Sequence, residues 1–330
     1  MPAKFFIPHQ PLQTQLDDIL EATWQAFPAL AQNQISLTWI AYEPPYRVNT
    51  GGGLSPEEFW TYQPQGASYR GVELMNPDSM VHLFYAVAMQ VWLEQGMAQP
   101  SAEIDRAMTD MLICGSHDAA SFLIDVLTGT TSGPSLPSGT DETWSYQRNL
   151  VNRYFASLGW PELRSVNVNQ KTWCDRPYGR EKDFLGDALE NRNQLTTEAT
   201  AKLLHSIVGG VSVSPERSQF MMDLLAQPST EERSSTEERS SQPLTFLPAE
   251  GKVWSRSAIT TEVGHNLAYV ELPDIHPYLL VIFTTPSQLP NTFKGTAVVP
   301  ADDTQNESLI SFVSERIFKA AQQNFERSGD

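Results

Sequence analysis

Between His82 and Leu93 the chain reads His-Leu-Phe-Tyr-Ala-Val-Ala-Met-Gln-Val-Trp-Leu, apolar on almost every side at helical spacing. A helix without a polar face cannot lie on a surface, so this stretch predicts an innermost helix that the remaining elements must cover. The polar turn Asn76-Pro77-Asp78-Ser79 runs straight into it. Asn76 and Asp78 are good N-cap residues, and proline suits a helix start. Ser79 is thereby expected in the first turn, where free N–H groups and the helix dipole favour developing negative charge. His82 follows three residues on, one turn up on the same face. A hydroxyl and an imidazole are thus expected within reach of each other at the mouth of a buried helix.

The elements around this helix are expected to be of two kinds. Gln13–Leu30 carries a broad apolar face at helical spacing and ends near Pro28. Ile35–Tyr42 alternates and is β-branched, a strand, and Gly66–Leu74 reads as a second strand. Pro44-Pro45 and Gly51–Gly53 mark a loop between them. Helices are predicted over 104–113, 119–127, 144–158, 195–208 and 214–225, with an irregular stretch from Val166 to Arg192. Residues 229–240 are Ser-Thr-Glu-Glu-Arg-Ser written twice, a polar run expected to be a mobile surface loop. Three strands follow, Val253–Ser257, Asn266–Leu272 and Tyr278–Thr285, the last two as an antiparallel hairpin, and Ser308–Phe325 closes the chain as an amphipathic helix. The order predicts an α+β fold: one antiparallel sheet built from both ends of the chain, flanked by the terminal helices, plus an all-helical lobe. The 330 residues then form a single domain of two lobes, an α/β lobe from about 1–75 and 245–330, a helical lobe from about 76–228 and a flexible loop at 229–243.

Two further stretches carry polar chemistry. One is Cys114-Gly115-Ser116-His117-Asp118-Ala119-Ala120-Ser121-Phe122-Leu123, a break followed by a helix. The other is Trp254-Ser255-Arg256-Ser257-Ala258, in a strand near the end of the chain. A formal net charge of −17 argues against nucleic acid or an anionic membrane surface as partner. Cys114 and Cys174 are read as free thiols, with one disulfide as the alternative. The first residues lack the apolar core of a signal peptide and no apolar run spans a bilayer, so a cytoplasmic location is expected. Cys-x-x-Cys, His-Glu-x-x-His, Gly-x-Gly-x-x-Gly and Walker patterns are all missing from the sequence. His82 and His117 have no evident third ligand, so neither a metal nor a cofactor is expected.

The Ser79 stretch resembles the Ser-x-x-Lys helix of class A β-lactamases and their penicillin-binding relatives, with His82 in place of the lysine. The Cys114–Leu123 stretch resembles the family's Ser-x-Asn loop. One register puts Gly115 at the serine and His117 at the asparagine; a shift by one residue puts Ser116 and Asp118 there. The first is preferred, because the slip would turn the following helix by about 100°. Trp254–Ala258 is similar to the family's Lys-Thr/Ser-Gly strand, with Arg256, Ser257 and Ala258 at those positions. The resemblance runs roughly from Ile35 to Phe318. It implies a β-lactamase/transpeptidase-like fold with the site in the seam between lobes, and an acyl-serine mechanism on an amide or ester bearing a carboxylate. Ser79 would be the nucleophile, His82 its base, and Arg256 the anchor for the carboxylate of a small-molecule or peptide-like substrate. Ser116 would relay a proton in place of the missing hydroxyl at Gly115, with His117, Ser257 and Ala258 lining the substrate site. Backbone N–H groups of Ser79 and of the strand near Ala258 would form the oxyanion hole. Glu181 is the candidate for the loop glutamate that activates the deacylating water.

Each position has a plainer reading beside this one: His82 a filler of the pocket wall, His117 a local cap, Arg256 a sheet residue facing solvent, Glu181 a partner in a salt bridge with Arg180. Both lysine positions and the relay serine are changed, which makes efficient β-lactam turnover doubtful. The alternative to a serine hydrolase is therefore a silent homologue that kept the fold as a binding or scaffold protein. The oligomeric state is not legible in the sequence.

Overall fold

The computed structural model of the chain describes residues 4–43, 53–137, 139–173, 176–228, 244, 246–248, 250–260, 262–285 and 304–328. The expected repeat loop at 229–243, the Pro44-Pro45 turn and Cys174 lie outside these. In chain order the strands are β1 Ile7–Pro8, β2 Ile35–Ala41, β3 Gln65–Tyr69, β4 Lys252–Ile259, β5 Gly264–Leu272 and β6 Ile275–Thr284. The helices are α1 Gln10–Ala26, α2 Pro56–Thr61, α3 His82–Glu94, α4 Ala102–Ile113, α5 His117–Thr128, α6 Asp141–Arg148, α7 Leu150–Ser157, α8 Gly179–Leu185, α9 Thr197–Val208, α10 Pro215–Leu225 and α11 Thr304–Ser328.

The six strands form one sheet in the order β1-β3-β2-β6-β5-β4. Its central pairs are antiparallel, as expected, with β2 against β6 from Ile35↔Thr284 to Ala41↔Tyr278. The short β1 is an addition and pairs parallel to β3. The sheet is buried on both faces, and the two-residue period of each strand sorts its side chains between two cores. Leu280 and Ile282 join Leu16, Leu20, Val313 and Ile317 of α1 and α11 on one face. Leu279, Val281 and Phe283 join Phe84, Val87 and Leu204 of α3 and α9 on the other. By the same alternation Trp254 and Ala258 of edge strand β4 face the helical lobe, and Arg256 between them shares that face.

The innermost helix is where the sequence places it: all twelve residues from His82 to Leu93 are buried. Its entrance differs from the expectation. Asp78–Val81 form a 3₁₀ turn ahead of α3, so Ser79 sits in that tighter turn. Asp78 has φ +48°, a left-handed conformation that costs a non-glycine residue energy and that Asp tolerates better than most. Its carboxylate does not cap a later donor but accepts the N–H of Ser79 next to it, at 2.5 Å. The helix expected over 144–158 is broken at Asn149 into α6 and α7. Helix α2 was not anticipated, although Ser55-Pro56-Glu57-Glu58 is a reciprocal capping box, with Ser55 Oγ on Glu58 N at 3.2 Å and Glu58 Oε2 on Ser55 N at 2.9 Å. No helix among the described residues is long and apolar enough to cross a membrane.

Candidate active site

A cavity of about 1030 Å³ opens where the 3₁₀ turn, the α4–α5 junction, the loop 170–173 and edge strand β4 meet. Ser79, His117, Arg256, Ser257 and Ala258 all line it. Ser79 is only 7% exposed, and among the described residues none is hydrogen-bonded to its Oγ.

Arg256 lines the cavity but turns most of its guanidinium inward from β4. Its Nε donates to the carbonyl of Ser79 at 3.2 Å and its Nη1 to the carbonyl of Met111 at 3.0 Å and that of Leu112 at 2.5 Å. Its Nη2 donates to His82 Nδ1 at 2.8 Å. Four of the five guanidinium N–H groups are thereby spent on the protein. Burial lowers the Arg256 pKa to about 10, against a raising effect from Asp78, so the side chain stays charged at neutral pH.

This contact also fixes the state of His82. A guanidinium has donors only, so Nδ1 must be the acceptor and the proton must sit on Nε2. Met111 O, 3.4 Å from Nδ1, is already taken by Arg256. The Nε2–H donates to Thr172 Oγ1 at 3.0 Å. Burial first, then the charges of Arg256 and His117, hold the His82 pKa well below its usual value, in keeping with a neutral ring. With its lone pair occupied by a cationic donor, His82 is not arranged to take a proton from Ser79. The N–H of Ser79, the expected oxyanion donor, faces the Asp78 carboxylate instead.

The other sequence candidates divide. His117 stands on the cavity wall with its ring 6.0 Å from that of His82 and perpendicular to it. Ser257 Oγ accepts from Asn266 Nδ2 at 2.9 Å. Gly115 has φ +71° and lets the chain turn out of α4, with Ser116 N closing onto Asp110 O at 3.1 Å. This left-handed φ favours glycine at the position for backbone reasons alone. Ser116 lies off the cavity, and its Oγ caps α5 by accepting from Ala119 N at 3.2 Å. Glu181 is also off the cavity and fully buried, paired with Arg148 at 2.5 Å and bonded by Ser132 Oγ at 2.8 Å. It is thus not placed to activate a water beside Ser79. Its salt-bridge partners are Arg148 and, at 3.9 Å, Lys171, and not Arg180, whose Nε donates to Pro134 O. The described residues hold no cluster of His, Cys, Asp and Glu fit for a metal ion.

The model of the beta-lactamase enzyme family matches residues 144–321, more than half of the chain. The chain belongs to this family. Solved structures similar to it include a beta-lactamase from Sphaerobacter thermophilus DSM 20745, at TM-score 0.57 and 16% identity over 92% of this chain and 97% of that one. A PBP-A L158E mutant in acyl-enzyme complex with penicillin G superposes at TM-score 0.61 and 13% identity, over 99% of this chain and 100% of that one. A class A beta-lactamase representative from Bacteroides cellulosilyticus DSM 14838 does so at 0.59 and 12%, over 96% and 99%. At these identities the likeness shows the fold. No curated protein sequence matches the chain.

Within this family member, the residues that sequence reasoning missed are Asp78 as partner of Ser79 N–H, and the wall segment Gln170–Trp173. Thr172 of that segment holds His82. Lys171 Nζ bonds Asp125 Oδ2 and Ser132 Oγ, both at 2.8 Å, tying the wall to the Glu181–Arg148 pair. The irregularity of 166–192 is legible in the sequence, but which of its side chains line the cavity is not.

Proposed function

We propose that this chain is a non-hydrolysing member of the beta-lactamase enzyme family that uses its cavity to bind a ligand. The contact of Arg256 Nη2 with His82 Nδ1 at 2.8 Å carries this reading. A serine hydroxyl is a weak nucleophile without an adjacent base, and here the base nitrogen is engaged by a cation. The Asp78 carboxylate on the Ser79 N–H supports it further, since developing negative charge there would meet another anion.

The second reading is an acyl-serine hydrolase of a carboxylate-bearing amide or ester, with Ser79 as nucleophile, His82 as base and Arg256 as anchor. It is favoured by one observation, that Ser79, Arg256, Ser257 and Ala258 share one cavity. Incubation with a fluorophosphonate and with a fluorescent penicillin, read by intact mass, separates the two. The binding reading expects no adduct after hours. An adduct that disappears in Ser79→Ala would overturn it in favour of the hydrolase.

A further inference from the structure

The bonds at the floor of the cavity form a chain whose direction is forced. Arg256 can only donate, so His82 Nδ1 accepts at 2.8 Å. His82 then has its one proton on Nε2 and donates to Thr172 Oγ1 at 3.0 Å. The Thr172 hydroxyl therefore receives a hydrogen bond and must direct its own proton elsewhere. Among the described residues it has no acceptor, and Thr172 lines the cavity. Donors in series polarise one another, so a buried cation at one end strengthens the hydroxyl at the other.

A second observation lies on the same wall. Gln170 is buried with both atoms of its side-chain amide unpaired, and the indole nitrogen of Trp173 is likewise buried without a partner. These residues are not slack: Gln170 N donates to Asn193 Oδ1 at 2.9 Å, and Gln170 O accepts from Asn193 Nδ2 at 2.9 Å. Buried polar groups are ordinarily satisfied, so the unspent ones on either side of Thr172 leave this wall with more hydrogen-bonding capacity than its protein partners use. Of the cations that line the cavity, Lys171 is bonded to Asp125 and Ser132, Arg256 has four of its five N–H groups on carbonyls and His82, and Arg192 stands exposed at the edge.

We propose that Thr172 is a ligand-recognition residue of this cavity, donating its hydroxyl proton to a carboxylate or carbonyl oxygen of the ligand, with Arg256 acting on that oxygen through His82 and Thr172. The inference rests on the binding reading above. Its test uses a probe that cannot acylate Ser79, so the two fail separately.

The chain is labelled with ¹⁵N-histidine, and the Nε2–H of His82 is followed by NMR while sodium acetate is added against a sodium chloride control. Acetamide provides a neutral arm of the same shape. The expected result is a saturable shift of the His82 signal with acetate. Thr172→Val should weaken that response at least about tenfold, as loss of a charge-assisted hydrogen bond requires, and Thr172→Ser should restore it. A stronger response to acetate identifies a carboxylate, and an equal or stronger one to acetamide a neutral carbonyl. The proposal is overturned if neither probe moves the signal in the wild type, or if Thr172→Val responds like the wild type. Should Thr172→Val fail to fold, the Thr172 methyl signal of the wild type must shift along with that of His82, and its failure to do so overturns the proposal equally.

Discussion

Arg256 shows how much depends on the shape of a side chain at one position. A lysine at this place would present a single ammonium on a flexible stem. The planar fork of arginine instead reaches three backbone carbonyls and an imidazole at once. The sequence placed a cation at the seam, and the structure has it there, but turned into the protein. Removing it should be costly, because several buried acceptors would lose their donors together. Arg256→Met is expected to lower unfolding stability by about 3–5 kcal/mol in a denaturant titration. A loss below about 1 kcal/mol would mean that these bonds contribute little to the folded state.

Among the elements, α5 shows a local signal with a local outcome. Ser116 begins the helix by bonding Ala119 N, which a Ser ahead of an apolar helical run predicts on its own. Ser116→Ala should cost about 1 kcal/mol of stability, read as a shift in denaturant midpoint, and leave the acetate response of His82 unchanged. Helices α6 and α7 show the opposite case. Periodicity over 144–158 describes one helix, yet the chain breaks at Asn149, whose Oδ1 accepts from Asn152 Nδ2 at 3.1 Å and from Asn169 Nδ2 at 2.6 Å. Asn152 accepts in turn from Val168 N at 2.7 Å. This asparagine network ties the α6–α7 corner to the segment that leads into Gln170–Trp173. Its partners lie about twenty residues apart, so no local pattern announces it.

For the molecule as a whole, burial on both faces of one sheet leaves little room for charge. His82, His205 and His265 are each wholly enclosed, and burial is the first cause that lowers the pKa of all three, that of His205 to about 3. The sign of the linkage follows. Above about pH 6.5 these rings are neutral in both states and exert no pull. As the pH falls below that value the unfolded chain binds protons that the folded chain refuses, so stability falls with it. For His205 the loss continues down to about pH 3. Unfolding free energies measured in urea should fall by on the order of 1 kcal/mol per pH unit between about pH 6 and pH 4 on account of His205 alone, with His82 and His265 adding loss in the same direction. His205→Gln should flatten that slope by up to about one proton; an unchanged slope would show that His205 is protonated in the folded chain.

The sequence by itself determined the innermost helix, the three late strands, the terminal helices and hence the α+β family fold. Each follows from a period of apolar residues that any water-soluble packing must bury. Through the family resemblance it also led to the expectation that Ser79 and Arg256 would line one cleft, as they do. What only the tertiary structure decided is how the donors there are spent. Whether His82 is a base or a link between Arg256 and Thr172 depends on groups 174 and 90 residues away along the chain, and on which nitrogen each one reaches. A hydrogen bond is short and directional, so its partner is set by the final placement of backbones, which spacing along one strand or helix does not specify.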